Sequence, residues 1–190
     1  MKEDKIFTYE EFENVIKRFE EKKIKYFVFG GFSIDAINQE ETIHEDLDLI
    51  ILNSDKTKLI EILQNLGYSM KKLGRMMIFT KINLKQIYEV GVLIMKEFKK
   101  YYKIRGNWHE DTISKDAFEK ENYLRIKENK FRIMPFEWFS LYTNIKHEIP
   151  EKEDRRARAM NKAKYLSKKI KILNGREIRR LKSDPKFNSG

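Results

Sequence analysis

The run IKYFVFGGFSIDAINQEETIHEDLDLIIL, residues 24–52, decides the fold. Its first eight residues are apolar and β-branched up to Gly30-Gly31, which is the pattern of a buried strand stopped by a tight turn. A short helix is expected from about Ser33 to Asn38. DLDLIIL at 46–52 is the most strand-like segment of the chain. A strand's period of two then puts His44, Asp46 and Asp48 on one face and Glu45, Leu47 and Leu49 on the other.

Working outward, Thr8 and Glu11 have capping-box spacing ahead of Phe12, Val15, Ile16 and Phe19, so residues 9–22 are expected to form an amphipathic helix. Asn53, Ser54 and Asp55 offer an N-cap before Leu59, Ile62, Leu63 and Leu66, and Gly67 ends that helix. Residues 68–73, 75–82 and 86–95 read as successive strands. No structure is assigned to 96–122. YLRI and FRIM flank the turn-like KENK as a hairpin, and Pro135 opens a helix to about Lys146. A last helix from about Glu153 carries Ala163, Leu166, Ile170 and Leu173 at helical spacing. The order implies an α+β fold, a mixed sheet packed with helices and followed by a C-terminal helical segment. The expected units are 1–134, helices at 135–173 packed on them, and a flexible basic tail at 174–190.

Composition narrows the function classes. With 190 residues, 41% hydrophobic, 13% aromatic and 37% charged, the chain can bury a core but is too short for several large domains. No apolar run approaches the roughly 18 residues of a membrane span, and the start MKEDKIFTYEEF lacks a leader-like apolar stretch. No membrane association and a cytoplasmic location are therefore expected. The absence of cysteine and the scatter of His44, His109 and His147 leave oxygen as the expected metal donor. The net charge of +10 is lopsided, because residues 151–190 hold 14 Lys and Arg against 5 Asp and Glu. Such a segment is either a solvated helix face or a contact for nucleic acid or polyphosphate.

The residues that could carry chemistry lie near the deciding run. Asp46 and Asp48 place two like charges about 6 to 7 Å apart at the head of an apolar strand, which is costly unless a cation neutralises them. Mg²⁺ takes oxygen ligands and is usually held by one or two carboxylates plus substrate phosphates. A pair of Asp at a solvent-facing strand edge would look the same. Upstream, Gly30-Gly31 before a helix lets phosphate oxygens approach bare backbone N–H groups, although a Gly-Gly alone is usually only a turn. Glu89 interrupts the apolar strand QIYEVGVLIM. If that strand neighbours 46–52, Glu89 completes a three-carboxylate site; otherwise it faces water on an edge.

Taken together, GGFSIDAINQEETIHEDLDL resembles the GG-x-x-x-D…H-x-D-x-D signature of the nucleotidyltransferase (DNA polymerase β-like) superfamily, and most of all its small antibiotic nucleotidyltransferases. These include the lincosamide nucleotidyltransferases and the aminoglycoside 2″-adenylyltransferase. The resemblance runs from about Thr8 to Ile94 and more loosely to about Leu173. It implies that Asp46 and Asp48 bind one or two Mg²⁺ and that Glu89 is a general base or further metal ligand. It also implies that Gly30, Gly31, Ser33 and the motif histidine His44 serve the nucleotide. Asp35 matches the acid of the first motif, while a helix-surface position explains it equally well.

Two departures stand out: Thr42 where relatives commonly carry Arg, with Arg75 as a candidate replacement cation, and Glu where many have Asp at position 89. The implied activity is transfer of NMP, expected to be AMP from ATP, to a hydroxyl of a small acceptor such as an aminoglycoside or lincosamide, with release of pyrophosphate. The basic C-terminal segment leaves open RNA as partner, as in toxin-type nucleotidyltransferases acting on tRNA. The departures leave open a non-catalytic nucleotide-binding module, and a homodimer is also open. A second HED, at His109 to Asp111, precedes no apolar strand and reads as a loop. The aromatics Phe98, Tyr101, Tyr102 and Trp108 around it either line an acceptor pocket or pack locally.

Overall fold

The computed structural model describes residues 4–73, 76–84, 86–105, 110–115, 123–126 and 129–134. Helix α1 spans Tyr9–Glu21, and the Thr8 side chain caps it by accepting from the Glu11 N–H. Phe12, Val15, Ile16 and Phe19 recur at helical spacing and all are buried. Strand β2 (Tyr26–Phe29) leads through Gly30 into α2 (Gly31–Asn38), and β3 occupies Asp46–Leu52. Asp55, within the cap expected at 53–55, is the N-cap residue of α3 (Lys56–Asn65), but Asn53–Asp55 form a 3-10 turn and the Asp55 side chain makes no capping bond. Asp55 turns back instead and accepts the Lys25 N–H at 3.1 Å, tying the turn to the start of β2.

Strands β4 (Ser69–Leu73), β5 (Met76–Asn83) and β6 (Gln86–Glu97) follow as expected. The stretch 96–122, to which the sequence assigns no structure, contains two more, β7 (Tyr101–Arg105) and β8 (Glu110–Ser114), which extend the sheet as an antiparallel pair. The expected hairpin is present as β9 (Tyr123–Ile126) and β10 (Asn129–Arg132), with β10 starting two residues before FRIM. The helices expected beyond Pro135 and the tail from 174 lie outside the described residues.

Among the described residues, eight strands form one mixed sheet with the central order β2-β3-β6-β5-β4, and β1 (Asp4–Lys5) joins β6. The twelve-residue β6 is its spine. It pairs in parallel with β3 and with β1 along one edge, and antiparallel with β5 and then β7 along the other. Beyond β2, residues 133 and 134 cover the edge, where the Met134 N–H donates to the Val28 carbonyl.

Burial along β3 explains where a site can form. Leu47, Leu49 and Ile51 are fully buried on one face, and Ile50 and Leu52 are buried on the other. Asp46 is exposed and Asp48 half-buried on that second face. The first half of β3 is therefore covered on one side, while its second half is core on both. Each large apolar side chain so buried contributes about 1.5 to 3 kcal/mol, which makes the sheet a rigid base for the open strand end. An aromatic cluster underlies it, with Phe12 stacked on Phe32 at 4.5 Å and edge-on to Phe131 at 4.8 Å. No helix among the described residues is long and apolar enough to cross a membrane.

Candidate active site

Glycines shape the ground on which the acidic residues rest. Gly30 leaves β2 at φ +70°, a conformation that strains any residue with a Cβ. A Cβ there would also meet the Asp48 Oδ2 at 2.3 Å. Across the sheet, a Cβ on Gly91 would approach the Asp48 Oδ1 at 3.1 Å. The Asp48 carboxylate thus lies between two bare Cα positions, a consequence of the register that sets Asp48 opposite Phe29 on β2 and Gly91 on β6. Gly31 does the same for the histidine, since a Cβ there would meet His44 Nδ1 at 2.2 Å. The two glycines read from sequence as a phosphate turn therefore also make room for Asp48 and His44. Ser33 is buried at the start of α2 and its hydroxyl donates to the Gly30 carbonyl at 2.8 Å, which fixes the turn.

The condition on Glu89 is met: β3 and β6 run parallel with Asp46 opposite Glu89. Side chains opposite each other in register share a face, so Asp46, Asp48 and Glu89 lie together at the open end of β3. A residue with no sequence signal joins them. Lys5, on the two-residue β1, donates from Nζ to the Glu89 Oε2 at 2.8 Å. That bond is the main reason the Lys5 ammonium is held above its ordinary pKa against the cost of desolvation, and the charges of Glu89, Asp46 and Glu45 add to it. Asp46 is displaced upward: partial desolvation, then the charges of Glu89 and Glu45, raise its carboxyl above the ordinary value, while Lys5 and His44 pull the other way.

Among the described residues, no three His, Asp or Glu side chains converge closely enough to hold a metal unaided. The donor set matches a different mode. Two neighbouring carboxylates on one strand face, beside a turn with bare backbone, suit a Mg²⁺ whose remaining ligands come from phosphate and water.

Asp35 is buried, which removes the helix-surface reading. It receives the Tyr9 hydroxyl at 2.8 Å, the Thr42 N–H at 2.8 Å and the Thr42 hydroxyl at 3.0 Å, and the His44 Nε2 lies 2.7 Å from its Oδ2. Burial alone would raise its pKa, but hydrogen bonds from His44 and Tyr9, the His44 charge and the Thr42 N–H outweigh it and hold the carboxyl below the ordinary value. Thr42, noted in sequence for the arginine it replaces, is thus a clamp on Asp35. His44 is buried too, its ring 4.3 Å from that of Phe32.

The remaining candidates divide. Arg75, Trp108 and His109 lie outside the described residues. The second HED is not a loop where it is described, because Glu110 and Asp111 open β8. Tyr101 and Tyr102 are buried; Phe98 stacks on Tyr101 at 4.8 Å, and the Tyr102 hydroxyl accepts from the Lys25 ammonium at 3.5 Å.

Comparison with known proteins bears on this geometry. The sequence profile of the aminoglycoside-2″-adenylyltransferase family matches residues 11–125. No curated protein matches the chain by sequence. Among solved structures, the lincosamide antibiotic adenylyltransferase LnuA in its lincomycin-bound form is similar with a TM-score of 0.63 at 15% identity, covering 82% of this chain and 98% of that one. ANT(2″)-Ia in complex with adenylyl-2″-tobramycin is similar with a TM-score of 0.52 at 14% identity, covering 82% of this chain and 86% of that one. At these identities the structural likeness is one of fold.

Proposed function

The chain belongs to the aminoglycoside-2″-adenylyltransferase family and is a nucleotidyltransferase, and from that premise we propose that it moves AMP from ATP to a hydroxyl of a small antibiotic-like acceptor, an aminoglycoside or a lincosamide, releasing pyrophosphate. The observation that carries this reading is the shared face of Asp46, Asp48 and Glu89 beside the Gly30-Gly31 turn. The acceptor class is supported by the family's description and by the ligands of the two solved structures, one lincosamide and one adenylylated aminoglycoside.

In this reading Asp46 and Asp48 hold Mg²⁺, which supplies charge stabilisation at the phosphoryl oxygens when it binds with the triphosphate. Asp48 is the better-fixed of the two, because Gly30 and Gly91 leave its carboxylate a defined berth. The N–H groups at the start of α2 receive phosphate oxygens at the positive end of the helix, and the Ser33 hydroxyl keeps the turn open to them. Glu89 takes the proton of the acceptor hydroxyl or orients that hydroxyl toward the α-phosphorus. His44, fixed by Asp35 and by the Gly31 cleft, borders the phosphate turn. Arg75 is the further cation assigned to the phosphate side. The residues given these roles all fall within the unit expected at 1–134.

Pyrophosphate release tests this directly. Each NTP is supplied with Mg²⁺, with and without aminoglycosides, lincosamides or bulk tRNA. Release driven by ATP together with one of the two antibiotic classes is expected. Release driven by tRNA alone would assign the basic segment 151–190 to an RNA acceptor and overturn the small-molecule reading, and salt sensitivity would then be steep.

A further inference from the structure

Lys5 belongs to no part of the mechanism above, yet its ammonium bonds one of the mechanism's carboxylates. Strand β1 is only two residues long and runs parallel to β6 with Lys5 opposite Ile87. From there the side chain reaches forward along β6 to the Glu89 Oε2 at 2.8 Å. It enters a region of like charge, because Asp46 lies opposite Glu89 in register and Asp48 shares their face. Three carboxylates in so small an area repel one another unless a cation is present. The Lys5 side chain is 47% exposed and that of Glu89 22%, so the pair is weak and opens readily. An ammonium on a flexible four-carbon stem can also leave without disturbing the backbone, which the fork geometry of an arginine would hinder.

We propose that Lys5 is a resident counter-ion of this acidic face, neutralising Glu89 until a divalent metal arrives and competing with that metal for the same carboxylate. The inference rests on the reading of Asp46, Asp48 and Glu89 as the metal-holding face. The short segment DKIF thereby offsets one negative charge of the face between turnovers, and it sets how tightly a metal binds without nucleotide. Metal that arrives with a triphosphate has phosphate ligands of its own and overcomes the competition, so the site fills when substrate is present.

The test is Mn²⁺ binding to the full chain without nucleotide, followed by the electron paramagnetic resonance signal of free Mn²⁺. Lys5→Met is expected to tighten binding roughly three- to five-fold, the scale of a partly exposed ion pair. Lys5→Arg should stay within about two-fold of wild type, since it restores the charge. In a Glu89→Gln background, Lys5→Met should tighten binding clearly less than in wild type, because the contested carboxylate is gone and only the through-space effect on Asp46 remains. Circular dichroism of each variant verifies folding, and Lys5→Gln provides a second neutral variant for the same comparison. Binding that Asp48→Asn abolishes but Lys5→Met leaves unchanged or weakens would overturn the counter-ion role while sparing the metal face. Equal tightening with and without Glu89 would also overturn it, as a mere through-space effect. Mn²⁺ binding indifferent to Asp48→Asn would remove the metal face and the inference with it, whereas binding undetectable in both wild type and Lys5→Met would overturn the counter-ion role alone, since the face would then take metal only with phosphate ligands.

Discussion

Asp35 and the face formed by Asp46, Asp48 and Glu89 are two acidic centres built on the same strand-turn-helix unit, and their surroundings differ in kind. Asp35 is buried and its two oxygens are satisfied by Tyr9, by Thr42 twice over and by His44. At the end of β3, Asp46 is exposed, Asp48 rests on glycine Cα positions, and Glu89 is bound by a half-exposed lysine. The pKa directions separate accordingly, downward for Asp35 and upward for Asp46. A carboxylate given every donor it can use stabilises the fold and has little left for a ligand. Carboxylates crowded together at an open strand end cost stability and keep affinity for a cation, the usual compromise of a functional site.

Substitutions can break this division of labour. The largest effect is expected at the strand end: Asp46→Asn or Asp48→Asn should lower adenylyl transfer by a factor of about 10³ or more, because several kcal/mol of charge stabilisation are lost. Near-wild-type turnover in both would end the assignment. Asp35→Ala should instead destabilise the protein by about 3 to 5 kcal/mol in urea denaturation, since buried donors and His44 lose their partner. Its pH dependence has a defined sign. The folded carboxyl lies below its ordinary 3.8, so its contribution is complete above that value and is lost as pH falls through the lower folded one. The stability gap between wild type and Asp35→Asn should therefore narrow as the solution is taken below pH 3.8.

Gly30→Ala links the two centres. The strained φ should cost about 1 to 3 kcal/mol, and displacing the Asp48 carboxylate should lower turnover about 10²-fold. A variant that loses stability but not turnover would show that Asp48 does not depend on its glycine berth. The smallest effect has the opposite sign: Asp46→Asn, by relieving repulsion from Glu89 and Glu45, should stabilise the metal-free protein by up to about 1 kcal/mol in thermal or urea unfolding.

The two centres are not equally legible in the sequence. β3 falls on DLDLIIL residue for residue, because a continuous apolar run headed by alternating acids leaves little choice of period. Helix α1 is legible for the same reason, having both a cap and a stripe. Glu89 can be named only on the condition that its strand lies beside β3, a fact of pairing that no local pattern carries. The Asp35 network is hidden because its partners at 9, 42 and 44 meet only through the fold. Lys5 is hidden because a two-residue strand has no periodicity to detect. The strands within 96–122 escape detection for a related reason: β7 and β8 are short and rich in charge, and their order comes from pairing at the far end of β6.

Transfer of an adenylyl group to a small hydroxylated acceptor at the open end of β3 leaves a covalent mark on that acceptor. It is read in the mass spectrum of aminoglycosides and lincosamides after incubation with ATP, Mg²⁺ and either wild type or Asp48→Asn. An acceptor heavier by one AMP unit with wild type and unmodified with a folded Asp48→Asn is the predicted result. An acceptor adenylylated equally by both proteins, or unmodified antibiotics beside an adenylylated tRNA, would contradict it.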